Sequence, residues 1–489
     1  MKEWRRSIHV IRRSLHHSSG TFFTRAPDGT FVPPKLPLLD EIANEVKMGG
    51  FLSLDKTAVI GMQHLLPTTA TLFNIMIDVL GIRPENMFFK GKFYSTHPET
   101  EKYMIGRGIQ ILKTKSPRWP GQYQENTREE IKEMWENFEK RLKTSEIEKI
   151  IVLDDGGMCL ESIPKSIRYE YRIAGIEQTR FGLYSKTVKA QVFPLIDVAR
   201  SAAKKHLESH IIAESVLRRL NTLLAGLDVK NSTVFGVVGN GAIGTAITKY
   251  LLEKGYHVVI YDESDSAFHG IRNKNCYRMD KLESLIAGSD IVFGCTGRDV
   301  TENIDVTELV NGKCVFISCS SQDIEFLTLL KKIGTTPYSE TINNNISRIG
   351  YVGKSSQEIS VLEKGFPVNF DRTPLCDFPA DISLTRGLLL GSFIQAALLA
   401  RKPADDGLTP NKTSHYMLDP FVQRFVVNHW KSGQPKKRYT EEELSCFNDI
   451  NWVMKNSSGD YFEKDLFCTA LSKLDSDTAT PKRTCRTKF

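Results

Sequence analysis

The residues with the plainest chemistry sit in mid-chain. Gly239-Asn240-Gly241-Ala242-Ile243-Gly244 follows an apolar run that begins at Val234, and a second apolar run, His257 to Tyr261, ends at Asp262. A strand, a glycine turn, a helix and a second strand closed by an acid is the setting in which a G-x-G-x-x-G spacing binds a dinucleotide. Each glycine has its own reason: Gly239 for the tight turn, Gly241 for the approach of backbone to pyrophosphate, Gly244 for the packing of helix on strand. The helix opening near Ala242 aims its free N–H groups and positive dipole end at the phosphates. Asp262 is placed to accept from ribose hydroxyls and to repel a 2′-phosphate, so NAD is expected rather than NADP. Cys295-Thr296-Gly297 closes a later apolar run, where a Thr-Gly pair lines the cofactor or simply turns the chain.

The elements around this signature alternate. Strands are expected at Lys56–Gly61, Asn86–Phe89, Lys149–Leu153, Asp290–Gly294 and Lys313–Ile317. Between them, Leu72, Ile75, Met76 and Leu80, and later Ile131, Trp135, Phe138 and Leu142, recur at the helical repeat. Thr127-Arg-Glu-Glu130 reads as a capping box opening the second of these helices, and Thr440 to Glu443 as another. Tyr351 and Ile359–Leu362 are expected to form a small hairpin. Residues 1–50 read as irregular because of Pro33, Pro34 and Pro37. Strand–helix alternation implies parallel sheets, so the fold class is α/β.

The chain has 489 residues, 40% hydrophobic and 25% charged, which implies two or three soluble domains. A net charge of +7 over this length gives no reason to expect a nucleic-acid partner. Nine cysteines without a CxxC pair argue against zinc or a disulfide framework, so no metal is expected. Free thiols imply a reducing compartment, and a cytoplasmic location is expected. The apolar run Gly387–Ala400 is too short to span a bilayer and reads as a core or interface helix. Trp4, Ile8, Ile11 and Leu15, among Arg5, Arg6, Arg12 and Arg13, form a stripe that reads as a basic surface helix or a targeting segment. No membrane partner is expected.

His64, Tyr94-Ser95-Thr96, Leu153-Asp154-Asp155-Gly156-Gly157 and Gly175-Ile176-Glu177-Gln178-Thr179 precede the glycine signature; Cys295-Thr296-Gly297, Ser321-Gln322-Asp323-Ile324-Glu325 and Val368-Asn369-Phe370 follow it. In that order the set resembles the S-adenosylhomocysteine hydrolase (adenosylhomocysteinase) family, over roughly residues 55 to 400. The resemblance implies a doubly wound Rossmann NAD domain beside a second, substrate-type α/β domain. It divides the chain into an N-terminal extension (1–50), a substrate-type domain (51–222, completed by about 370–400), the NAD domain (223–369) and a C-terminal extension (401–489). It also implies a homo-oligomer, and chemistry in one-carbon metabolism that oxidises a nucleoside hydroxyl transiently and then reduces it again.

Carried over residue by residue, the resemblance implies catalytic roles for His64 and Asp155, NAD contacts for Asp262 and Asn369, and a lysine and an acid within Ile196–Ser215. Lys204 or Lys205 and then Glu208 are the candidates for that pair, and Gln178 stands where the family has a second glutamate. Read without the resemblance, His64 could equally be a core histidine and Asp155 a capped strand end. Departures are visible: His64-Leu65-Leu66 lacks the family's hydroxyl, Gln178 cannot exchange a proton, and Ser320-Ser321-Gln322-Asp323 lacks a histidine. The expected function is therefore an NAD-dependent enzyme, a hydrolase or oxidoreductase, acting by hydride transfer on a small nucleoside-like or other hydroxyl substrate. The alternatives are a regulatory NAD-binding protein and an authentic adenosylhomocysteinase.

Overall fold

The computed structural model describes residues 23–49, 53–189, 193–223, 229–230, 232–268, 273–334, 338–342, 346–352, 357–370, 372, 378–400, 415–433 and 439–457. The stripe at Trp4 to Leu15 lies outside these residues.

A two-stranded ribbon, β1 (Thr24–Arg25) and β2 (Phe31–Val32), precedes β3 (Thr57–Gln63), β4 (Met87–Gly91), β5 (Gln110–Leu112), β6 (Lys149–Asp154), β7 (Arg172–Glu177) and β8 (Leu195–Asp197). The second series is β9 (Val234–Val238), β10 (His257–Tyr261), β11 (Cys276–Arg278), β12 (Ile291–Gly294), β13 (Lys313–Ser318), β14 (Tyr338–Ile342), β15 (Ile346–Val352) and β16 (Glu358–Leu362). The last strand is β17 (His415–Met417). One sheet has the order β17-β8-β7-β6-β3-β4-β5, parallel throughout. The other runs β11-β10-β9-β12-β13-β16-β15-β14, parallel as far as β16 and antiparallel beyond it. Every residue of β3 and β4 is buried, as strands covered on both faces require. The expected hairpin is the β15–β16 pair.

Four expectations need correction. Residues 1–50 are not irregular throughout: Pro37–Gly49 is a helix that sends Leu38, Leu39, Ile42, Ala43 and Val46 into the first core. Pro37 is its first residue, a position where the missing N–H costs nothing. Residues 401–489 are not all an extension, since β17 pairs with β8, and Val422, Val426, Trp430, Phe447 and Val453 complete the same core. Thr127 does not open a helix. That helix runs Gln122–Leu142 from Gly121, and Glu130 lies inside it, paired with the buried Lys90 at 3.0 Å. The nucleotide unit does not begin at 223 either, because helix Ser209–Leu223 lays Ala213, Val216, Leu217 and Leu220 on the second sheet. The capping box at Thr440 and Glu443 is present.

Helix Pro379–Leu399 is the one described helix long and apolar enough to cross a membrane. It is buried along 94% of its most apolar window, and Leu384, Leu388, Phe393 and Ile394 belong to the first core.

Candidate functional site

Among its parallel strands each sheet reverses order once. In the first, the chain leaves β3 toward β4 and β5 and returns on the other side as β6; in the second it leaves β9 toward β10 and returns as β12. At such a switch point the loops beyond the carboxyl ends part and leave a crevice, where open α/β sheets bind ligands. His64 directly follows β3 and Asp155 directly follows β6. The turn Gly239–Gly244 follows β9 and Cys295-Thr296-Gly297 follows β12.

At the first crevice the Asp155 carboxylate is the hub. One oxygen meets the Lys92 ammonium; the other accepts from Gln178 Nε2 at 2.8 Å and lies 3.5 Å from His64 Nε2. Gln178 Nε2 also donates to Gln63 Oε1 at 3.0 Å. Lys204 Nζ donates to the Gln178 carbonyl at 2.8 Å and pairs with Glu208 at 3.0 Å. Glu208 accepts in addition from Thr385 Oγ1 at 2.6 Å. The five residues His64, Asp155, Gln178, Lys204 and Glu208 are thus brought together, and the lysine in register is Lys204, while Lys205 points to solvent. Lys204 to Glu208 is a stretch of π-helix, a form that recurs at functional sites.

Electrostatics follow from burial. Burial and the neighbouring Lys92 ammonium push the His64 imidazole down to about 3, so the ring is neutral. Its Nδ1 shares a hydrogen with Ser95 Oγ at 2.6 Å. Burial alone would raise the Asp155 carboxyl, but Lys92 outweighs it, with help from Lys204, and holds the acid below its ordinary value. Beneath this layer, burial raises Asp154 to about 7 and Glu177 well above the carboxylate range. Asp154 accepts from the backbone of Asp155, Cys159 and Leu160, and Glu177 Oε1 from Gly156 and Thr179. These two acids brace the Asp155 turn from below.

The second crevice has the shape a dinucleotide needs. Gly239 has φ +89°, and a Cβ on Gly244 would lie 1.9 Å from the Gly239 carbonyl oxygen, so both positions require glycine. Among the described residues a Cβ on Gly241 would meet nothing within 4 Å beyond its chain neighbours, which leaves open space in front of that backbone. Helix Ala242–Glu253 starts there, with Gly241 as N-cap and, among the described residues, no side-chain cap bond. Asp262 accepts from Asn240 N at 2.7 Å and Ser264 N at 2.9 Å, so it holds the turn as well as facing the crevice. Glu325, buried, accepts from Thr296 N, Thr296 Oγ1 and Gly297 N at 2.7–2.8 Å and fixes the opposite wall. Asn369 is buried with its Nδ2 donor unmatched among the described residues. An uncapped helix start before open space and an orphaned amide donor fit the phosphates and the carboxamide of NAD.

The two crevices face each other. Phe370, next to Asn369, stacks on His64 with centroids 4.2 Å apart. Tyr94 donates to the Ser321 carbonyl, and Gly121 N donates to Asp323 at 3.0 Å. The sequence does not single out Lys92, and it shows Glu325 only as part of the segment Ser321–Glu325, without its role. Lys92 stands between Gly91 and Phe93, two residues past Lys90, and a charged side chain among apolar neighbours must find a partner.

Comparison with known proteins bears on the second crevice first. Residues 201–304 match the NAD-binding domain of the D-isomer specific 2-hydroxyacid dehydrogenases, so this unit is an NAD-binding domain and NAD is its cofactor. The match begins before helix Ser209–Leu223 and ends just after Gly297. Two Mycobacterium tuberculosis proteins (strains CDC 1551 / Oshkosh and ATCC 25618 / H37Rv), both described as uncharacterized, are 32% identical over 368 residues, 74% of this chain and 68% of each relative. Among solved structures, an L-alanine dehydrogenase is 12% identical over 76% of this chain and 99% of its own, at a TM-score of 0.30. The D-lactate dehydrogenase of Escherichia coli is 14% identical over 53% of this chain and 73% of its own, also at 0.30. A glyoxylate/hydroxypyruvate reductase of Sinorhizobium meliloti, NADPH-dependent, is 12% identical over 53% and 84% at 0.33. Scores this low carry no argument.

Proposed function

This chain belongs to the same family as the two mycobacterial proteins, and we propose that it is an NAD-dependent oxidoreductase whose small substrate presents a hydroxyl-bearing carbon to His64, Asp155, Gln178, Lys204 and Glu208. The supporting observation is the convergence of these five side chains on one crevice that faces Asn369 and the NAD-binding turn. Bound NAD would supply the hydride acceptor.

The chain's own residues would handle the proton. Oxidising a hydroxyl carbon requires a base for the O–H proton, and the Lys204–Glu208 pair holds a donor and an acceptor 3.0 Å apart. His64, uncharged, offers a nitrogen lone pair. Asp155, held as a carboxylate by Lys92 and Gln178, orients both. Tyr94, Phe366 and Phe370 keep water out of the seam.

A nucleoside-like substrate is favoured by the adenosylhomocysteinase resemblance, whose expected residues are the ones that converge. A small 2-hydroxy acid is the second reading, favoured by the family model over 201–304. The test is absorbance at the NADH band after adding adenosine, S-adenosylhomocysteine or a panel of 2-hydroxy acids to NAD-loaded protein. Asp155→Asn should abolish any signal and leave NAD bound. Stripped protein that takes up neither NAD nor NADH would overturn the reading.

A further inference from the structure

The carboxyl ends of β12 and β13 carry a pair of cysteines that the reaction above does not use. Gly294 and Ser318 are register partners, Cys319 N donates to the Gly294 carbonyl at 2.9 Å, and Cys295 and Cys319 are the next residues in step. Side chains alternate along a strand. Ile291, Phe293, Val315 and Ile317 face one core, and both cysteines lie on that face with them. In-register neighbours on adjacent strands stand about 4.8 Å apart, inside the span of about 4.4–6.8 Å between Cα atoms from which a disulfide closes. The two thiols are not linked, and the adjacent Cys319 together with burial raises the Cys295 thiol above its ordinary value. Cys295 is partly exposed at the NAD crevice, whereas Cys159 and Cys314 are buried.

We propose that Cys295 and Cys319 form an oxidative modification site on the floor of the NAD crevice, taking a small peroxide as its oxidant. One thiolate attacks a peroxide oxygen and becomes a sulfenic acid as hydroxide leaves. The second thiol then displaces that hydroxyl as water and closes the S–S bond. In total two thiols and one hydrogen peroxide give one disulfide and two waters. The consequence for the cofactor rests on the NAD reading above. A Cβ on Gly239 would lie 2.8 Å from Thr296 Cγ2 and 3.1 Å from the Cys295 carbonyl, so the wall that holds the cysteine touches the dinucleotide turn. Drawing Cys295 toward Cys319 moves that wall, while the Glu325 bonds to Thr296 and Gly297 resist.

The experiment treats full-length reduced protein with stoichiometric hydrogen peroxide, maps peptides without reduction, and titrates NAD before and after. The expected result is a Cys295–Cys319 linked peptide, NAD affinity weakened at least ~10-fold, about 1.4 kcal/mol, and recovery with dithiothreitol. Cys319→Ser should form no link and keep its affinity under peroxide, and Cys295→Ser should likewise form no link. The absence of that peptide from oxidised wild type, or linked protein with unchanged affinity, overturns the proposal. Reduced protein that binds no NAD would sink the NAD reading and the proposed effect on affinity, and the peptide map would still decide whether the link forms.

Discussion

Gly241→Val separates the cofactor from the fold. Among the described residues, space in front of Gly241 is open, with no atom beyond its chain neighbours within 4 Å of a would-be Cβ, and its φ of −70° suits any residue. Valine there should cost the apo protein no more than about 1 kcal/mol, the scale of a poor N-cap. The same two methyl groups would occupy the place reserved for a pyrophosphate and hold it away from the first N–H groups of the helix. Displacement of that contact should weaken NAD binding at least ~100-fold, about 2.7 kcal/mol. Gly244→Ala is the contrasting variant: its Cβ would fall 1.9 Å from the Gly239 carbonyl oxygen, so the turn itself must move. An overpacked site of this kind costs about 1–3 kcal/mol or more. Calorimetric titration with NAD and thermal unfolding without it give both numbers for both proteins. NAD affinity in Gly241→Val within a few-fold of wild type, or an apo stability as low as that of Gly244→Ala, would refute the assignment of this glycine.

Lys92→Met leaves the buried Asp155 without its ammonium and should destabilise by about 3–5 kcal/mol. The double variant with Asp155→Asn should recover part of that loss in chemical denaturation. Because the Asp155 acid is depressed in the fold, its stabilising share is present above the unfolded value and is lost as pH falls through the folded one, so Lys92→Met should blunt this acid limb. Glu177 is raised, so the opposite sign holds: its share is full below the unfolded value and drains as pH climbs toward the folded one, by up to about 1.4 kcal/mol per pH unit. Glu177→Gln keeps an acceptor for Gly156 and Thr179, cannot ionise, and should melt higher than wild type at pH 8 with little difference at pH 4. Glu208→Gln should lower turnover by roughly 10²-fold, the scale of one proton-transfer group, with NAD affinity unchanged in calorimetry.

Much of this molecule is visible in its primary structure because parallel strands covered on both faces are continuous apolar runs. Val234–Val238, Lys149–Leu153 and Lys313–Ile317 stand out for that reason, as does a glycine spacing whose steric reasons are local. Helix Pro37–Gly49 is hidden by prolines that can belong either to a loop or to a helix start. The strand His415–Met417 has three residues and no pattern of its own; only its pairing with β8 makes it a strand. Side chains meeting across long separations are harder still. His64, Asp155 and Lys204 could be gathered only through a family resemblance, and Lys92, which meets Asp155 across 63 residues, has no local marker except a charge where apolar residues surround it. Glu325 was legible as part of a segment, yet its grip on Thr296 and Gly297 depends on a contact between two loops.

The chain leaves the first sheet after β8 and rejoins it at β17, with β9 to β16 in between, since strands on both sides of this excursion share one sheet. The NAD unit is therefore an insert tethered at two points, like a door on a pair of pins. Two tethers discourage sliding and leave rotation about the line joining them as the easiest relative motion. Lys204 and Asn369 lie near those pins along the chain, one on each side of the insert. The Lys204–Glu208 pair and the buried amide of Asn369 thus belong to the join between the two units.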